Sequence, residues 1–200
     1  MTTEPFHTSV HDDYITPGEI VERVRFTLER IDLDPASSPA ANEVVKATQF
    51  YALSRQPRTY KHGKMLVGSG LTTRWKGTVF LNPPGGKAPQ NRHGIRSEAA
   101  LWWRTLVEEY TRGQVVAGVF LGFNLELLRT TQGCGVRSAL SFPFCVPSSR
   151  LMFSRIVDGQ RVTCGSPSHA NVVVLVSEDP SAIGRFSRAF ESIGQVVNPG

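Results

Sequence analysis

The segment Thr78-Val79-Phe80-Leu81 reads as a buried strand, and it runs directly into Asn82-Pro83-Pro84-Gly85-Gly86. Two consecutive prolines lack the N–H groups that a strand or helix needs, and their φ angles are fixed, so the backbone must turn at this point. A buried strand that ends in a stiff corner is expected in an open parallel sheet, where ligands sit beyond the carboxyl ends of the strands.

The rest of the chain supplies the partners such a sheet needs. Thr16-Pro17-Gly18-Glu19 carries the pattern of a capping box, with Thr16 as the cap, Pro17 at the first helical position and Glu19 reaching back. Ile20, Val24, Leu28 and Ile31 then fall on one face of a helix ending near Arg30. Ile31–Asp34 reads as a short strand stopped by Pro35, and Ser38-Pro39 opens a second helix expected to run towards Phe50. The polar stretch 52–76, rich in Gly, Arg and Lys, is expected to be a surface loop.

Beyond the prolines, Ser97 caps a strongly amphipathic helix carrying Trp102, Trp103, Leu106, Val107 and Tyr110. Strands are expected at 115–121, 140–144, 151–157 and 172–176, with a short helix over 124–131. Asp158-Gly159 forms a two-residue hairpin turn. The last helix is capped by Asp179, started by Pro180 and ended by Gly194. This alternation predicts an α/β fold with a mostly parallel sheet and an antiparallel hairpin near the C-terminus. One domain is expected over 14–200, preceded by a flexible arm at 1–13.

Charge is distributed unevenly. Nine of the chain's 22 basic residues fall between Arg55 and Ser97, against none of its 17 acidic ones. The remainder is therefore net acidic, although the whole chain carries +5. Such a basic segment predicts a polyanionic partner, because basic side chains that face phosphates release counterions on binding. The three cysteines, Cys134, Cys145 and Cys164, are widely spaced, odd in number and not paired with histidines in a metal-binding pattern, which argues against a disulfide framework or a zinc site. Together with the lack of an apolar run long enough to span a bilayer, this predicts a cytoplasmic protein with no membrane partner and no metal.

The tripeptide Asn82-Pro83-Pro84 resembles the catalytic motif of amino-methyltransferases, in which Asp or Asn is followed by two prolines and an aromatic. The likeness extends to one family, the phage-type DNA adenine (N-6) methyltransferases. It runs through Tyr14-Ile15-Thr16-Pro17, Asp32-Leu33-Asp34-Pro35-Ala36-Ser37, Asn42, Lys46-Ala47, Gly70-Leu71 and Trp75–Pro84. Trp102-Trp103, Gly122-Phe123-Asn124, Phe142-Pro143 and Arg150–Phe153 continue it, so it covers roughly residues 14–155.

The resemblance implies a Rossmann-like class I methyltransferase fold that uses S-adenosylmethionine and acts on the exocyclic amine of adenine in double-stranded DNA. The donor site would be formed by Thr16, Pro17, Asp32, Asp34, Pro35, Ala36 and Ser37, together with Asn82. Asp34 or Asp32 would accept hydrogen bonds from the ribose hydroxyls. Catalysis would rest on Asn82, Pro83 and Pro84, because the Asn82 side-chain oxygen and the Pro83 carbonyl can accept the amine hydrogens from a fixed position. Arg55, Arg58, Lys61, Lys64, Lys87, Arg92 and Arg96, on basic loops 52–76 and 87–96 that flank Asn82 in sequence, would hold DNA phosphates beside an extruded base.

The sequence departs from the family at two points. Gly85 stands where the family has an aromatic that stacks on the target base; Phe123, Trp75 or Trp102 could substitute. No glycine-rich turn follows the first strand. Methylation of RNA or of a protein amide, and a catalytically silent DNA-binding module, are the alternative readings.

Overall fold

The structure, a computed structural model, describes residues 14–52, 58–164 and 169–199. The expected arm at 1–13 and the predicted DNA contact Arg55 lie outside the described residues. The chain runs through α1 (Gly18–Leu28), β1 (Leu33–Asp34), α2 (Pro39–Val45), β2 (Gln49–Ala52), β3 (Arg58–Tyr60), β4 (Gly63–Val67) and β5 (Gly77–Leu81). It continues with α3 (Glu98–Thr111), β6 (Val115–Gly122), α4 (Glu126–Thr130), β7 (Phe144–Pro147), β8 (Ser154–Val157), β9 (Gln160–Thr163), β10 (Val172–Val176), α5 (Pro180–Phe190) and β11 (Gly194–Val197).

Among the described residues the main sheet has the order β11-β7-β10-β6-β5-β1-β2-β4-β3. Its centre, from β6 through β5, β1 and β2 to β4, is parallel, as the alternating pattern predicts. Antiparallel strands flank this centre: β3 on one side, and on the other β10, which is reversed against both β6 and β7, followed by β11.

Helices cover both faces. On one, α1, α2 and α5 place Ile20, Val24, Val45 and Phe186 against Phe80, Val119, Leu121 and Val173. On the other, α3 and α4 pack Trp102, Trp103, Leu106 and Leu127 on Leu33, Val79, Leu81 and Val174. Strand residues alternate between these two cores, which is the period-2 pleat of a sheet buried on both sides.

Local capping chemistry behaves as expected at three helices. The Ser38 hydroxyl accepts from Ala41 N at 3.1 Å, that of Ser97 from Ala100 N at 3.4 Å, and the Asp179 carboxylate from Ser181 N and Ala182 N at 3.1 Å each.

Other expectations are corrected. The second helix does not reach Phe50. It stops at Val45, where Lys46 turns left-handed at φ 52 and the Asn42 side chain accepts from Ala47 N at 2.9 Å, and 49–52 becomes strand β2. The described part of the stretch 52–76, from Arg58 onward, is not an open loop, since it holds the β3–β4 pair and a 3₁₀ turn at Gly70–Thr72, anchored by Met65 packing on Phe50. The strand expected at 140–144 begins only at Phe144, after a 3₁₀ turn at Ala139–Ser141. The β8–β9 hairpin forms a separate two-stranded sheet instead of joining the main one. Gly194 opens β11 and does not close α5. A Cβ there would lie 2.2 Å from Val146 O, so the close strand pairing requires glycine.

Among the described residues no helix is long and apolar enough to cross a membrane, and no cluster of three or more His, Cys, Asp or Glu could hold a metal. Cys134 and Cys145 are buried free thiols; burial pushes both above the usual thiol range, Cys145 to about 11.

Candidate functional site

From β1 the chain steps outward through β2 to β4, then returns to place β5 and β6 on the other side of β1. The order therefore reverses between β1 and β5, and the crevice at the carboxyl ends of those two strands is where an open α/β sheet binds ligands. Asp34 is the last residue of β1, and Asn82 follows the last residue of β5. Leu33 and Leu81 point into the α3 core. Their successors Asp34 and Asn82 therefore project towards the opposite layer, which contains α1.

Helix α1 presents its first turn to the same place. The Asn82 amide Nδ2 donates to Thr16 Oγ1 at 3.2 Å, and Thr16 is 3% exposed. No bond from a described residue reaches Asn82 Oδ1, so its acceptor side remains available. The two prolines hold this corner rigid, with Pro83 buried and Pro84 half-buried.

Thr16 is not the helix cap that its sequence context predicts. Pro17 occupies the cap position without a side-chain cap, and its carbonyl accepts from Ile20 N at 3.0 Å and Val21 N at 3.2 Å. The hydroxyl that the capping box would have used is taken by Asn82 instead, and Glu19 stays exposed.

The turn after β1 is held from both sides. Ala36 N donates to Asp34 Oδ1 at 3.3 Å, Ser37 N donates to Tyr51 O at 3.0 Å, and Ser38 caps α2. Gly70 lies so close that a Cβ on it would sit 2.2 Å from Pro35 O. Gly70 O in turn accepts from Trp75 Nε1 at 2.9 Å. Asp34 is 3% exposed. Burial lifts its carboxyl from 3.8 to about 7, against the downward pull of the Ser37 side chain and the Ala36 N–H. A buried carboxyl balanced between its two forms at the tip of a central strand is a good acceptor for ligand hydroxyls.

Asp32, the other donor-site carboxylate expected from the sequence, is committed elsewhere. Its Oδ2 accepts from Thr78 N at 2.9 Å and from Thr78 Oγ1 at 3.1 Å, and Arg30 pairs with its Oδ1 at 2.9 Å. It latches the start of β1 to the start of β5 and leaves the crevice to Asp34.

The two basic segments separate in space. Lys87, Arg92 and Arg96 lie on the loop that leaves the Asn82 corner. Its ends are pinned by Glu98 N to Gly86 O at 3.1 Å and Ala88 N to Arg96 O at 2.8 Å. The Asn91 side chain ties the tip together, donating to Pro89 O and Ile95 O at 2.8 Å each and accepting from His93 N and Ile95 N at 3.2 Å each. The three bases are exposed and form no ion pair with a described residue.

Arg58, Lys61 and Lys64 are also exposed, but they sit on the β3–β4 edge, beyond β1 and β2 from Asn82. Lys61 and Lys64 lie at the amino end of β4, which runs parallel to β2, so they face away from the crevice. Sequence proximity to Asn82 therefore does not bring this group to the site.

Gly85 is exposed, with nothing within 4 Å of a built Cβ, whereas Gly86 needs glycine for its φ of 120. Trp75 and Trp102, two candidates for the missing aromatic, are 0% and 4% exposed and stack on each other at 6.0 Å, so they are core. Half-buried Phe123 follows β6, the neighbour of β5, and its carbonyl accepts from buried Asn171 Nδ2 at 3.1 Å. Phe123 lies 6.3 Å from the Tyr14 ring, 6.4 Å from Phe153 and 5.1 Å from His169.

Two shallow hollows, ≈ 460 Å³ and ≈ 480 Å³, run along α1 and α5 beside Phe26 and contain none of these residues. Both are lined mainly by charged side chains, Glu22, Arg25, Glu29 and Arg185 in one and Glu19, Glu22, Arg23 and Arg188 in the other.

A scan against protein-family models finds no match, and a search of curated proteins finds none either.

Proposed function

We propose that this protein transfers a methyl group from S-adenosylmethionine to the exocyclic amine of adenine in DNA. The observation that carries the reading is the convergence of Asn82, Thr16 and Asp34 at the switch point of the sheet, with the Asn82 amide fixed on Thr16 at 3.2 Å and its oxygen left open. The parallel centre with antiparallel strands late in the chain fits the class I methyltransferase fold that the family resemblance implies.

The residues present suit a methyl donor. Asp34, buried at the end of β1, would accept its ribose hydroxyls, and the Pro35–Ser37 turn with Thr16 and Pro17 would wall the site. When bound, S-adenosylmethionine supplies an electrophilic methyl group. The rest of the task falls to the chain. An aromatic amine is a weak nucleophile because its lone pair is delocalised into the ring. Asn82 Oδ1 and the Pro83 carbonyl would accept hydrogen bonds from its two N–H groups and hold the nitrogen pyramidal, facing the methyl group, and the proton displaced from the amine would pass to solvent. Both acceptors are preorganised by the Thr16 bond and the proline corner, so little reorganisation is needed during the reaction.

The target base would have to leave the helix stack to reach this corner. Phe123 and Tyr14 are the aromatic surfaces nearest to hand. Lys87, Arg92 and Arg96 would hold the flanking phosphates.

Parallel assays of tritiated methyl transfer to duplex DNA, to RNA and to unrelated protein test the reading. Label in DNA alone is expected. Label only in RNA or protein, or none despite donor binding, contradicts it.

A further inference from the structure

The β8–β9 hairpin stands apart from the main sheet, and beyond Ser154 every residue of both strands is exposed. An isolated two-stranded ribbon gains little stability by itself in water. This one is held at its root. Ile15 N donates to Ser154 O at 2.7 Å, Ser154 N donates to Ile15 O at 3.1 Å, and Cys164 N donates to Phe153 O at 2.8 Å. Ile15 precedes Thr16, and Phe153 lies among Tyr14 and Phe123. The ribbon therefore grows from the wall of the candidate site.

Its side chains are of a mixed kind. Arg155 faces Val162 across the pair, and Ile156 faces Arg161, so each face joins an arginine to an aliphatic group. Ile156, Val157 and Val162 are 42%, 38% and 44% exposed. Neither Arg155 nor Arg161 forms an ion pair with a described residue. The ribbon's one acid, Asp158, sits at the tip with φ 50, followed by Gly159 with φ 75, beyond both arginines.

We propose that this ribbon is the second half of a duplex-DNA surface and enters the major groove beside the extruded base, an inference that rests on the methyltransferase reading. The major groove, about 12 Å wide, admits a two-stranded ribbon, and strands of four residues span about 13 Å. Arginine side chains reach phosphates and guanine edges, and aliphatic ones reach thymine methyl groups. The ribbon root is bonded to the segment that leads into α1, whereas the basic loop 87–96 leads into α3. The two projections therefore arise on opposite layers of the sheet, with the Asn82 corner between them. The place that sequence proximity assigns to the 52–76 segment is filled by the ribbon.

The test uses the full chain, with wild type and the double variant Arg155→Ala/Arg161→Ala titrated against a fluorescein-labelled, mixed-sequence DNA duplex over a range of salt. The variant is expected to bind at least tenfold more weakly, with a log–log salt slope shallower by about 2 for two lost phosphate contacts. Its thermal midpoint and its S-adenosylmethionine binding by calorimetry should match wild type, because both arginines are exposed. Unchanged affinity and slope in the variant, or no duplex binding by wild type, overturns the ribbon's role. Failure of the methyltransferase reading is separately visible: wild type would then show no donor binding, while ribbon-dependent duplex affinity persists.

Discussion

The side-chain amide of Asn82 donates to the Thr16 hydroxyl across 3.2 Å, joining the corner after β5 to the residue that leads into α1. In this arrangement Nδ2 takes the hydroxyl, and no described residue bonds Oδ1. With Nδ2 engaged, Oδ1 is the atom that the proposed reaction would use to accept an amine hydrogen. On the proposed reading Thr16 would be a positioning residue, and its removal should be felt at Asn82.

Thr16→Val keeps shape and burial but deletes the acceptor. Because Thr16 does not cap α1, the helix should persist, with the thermal midpoint lowered by only a few degrees. An unpaired amide costs roughly 1–3 kcal/mol, and Asn82 is free to rotate once its partner is gone. Steady-state kinetics should show kcat for methyl transfer lowered about tenfold or more, with the KM for DNA little changed.

Asp34→Asn should act on stability and donor binding in opposite senses. Below pH 3.8 the folded and unfolded chains both hold the Asp34 proton. Between 3.8 and about 7 only the folded chain keeps it, so wild-type stability falls as pH rises through that window. Urea unfolding should find the variant more stable above pH 7, by on the order of 2–4 kcal/mol, with no gain below pH 4. Wild-type affinity for S-adenosylmethionine should rise as pH passes about 7, since the ionised carboxylate is the stronger acceptor. In the variant calorimetry should find weaker binding with no such rise.

Lys87→Ala/Arg92→Ala/Arg96→Ala should weaken duplex binding at least tenfold and flatten its log–log salt slope by about 2.7, at about 0.9 per phosphate contact. Arg58→Ala/Lys61→Ala/Lys64→Ala removes the same formal charge from the β3–β4 edge. It should leave affinity within about twofold. Fluorescence anisotropy over a salt series distinguishes the two triples.

Gly85 lies in open space with no positive φ, so Gly85→Tyr should fold with a thermal midpoint within a few degrees of wild type. An aromatic directly after Pro84 gives an extruded base a second face to stack on. Methyl-transfer kinetics should show the KM for DNA lowered severalfold.

What the sequence made legible was local. The proline corner after Leu81, the caps Ser38, Ser97 and Asp179, and the fully apolar run Val172–Val176 each depend on neighbours a few residues away. Asp34 could be found because a carboxylate before a proline ends a strand. The capping-box pattern at Thr16 misled because a competing partner, Asn82, lies 66 residues along the chain. β2 and β4 were hidden because short strands with polar alternate residues resemble loops until Met65 and Phe50 are seen to pack together. The separation of the two basic segments follows from sheet order, which no local pattern records. The Asn91 turn had a local signal, an Asx residue before a glycine-containing tip. The independence of the β8–β9 ribbon had none.

The most direct test is mass spectrometry of nucleosides from duplex DNA incubated with the protein and S-adenosylmethionine, for wild type and Asn82→Ala. N6-methyladenine is expected with wild type and is expected to vanish in the variant, whose donor binding should remain. Equal yields from both proteins, or no methylated adenine from a wild type that binds the donor, would contradict the assignment of Asn82.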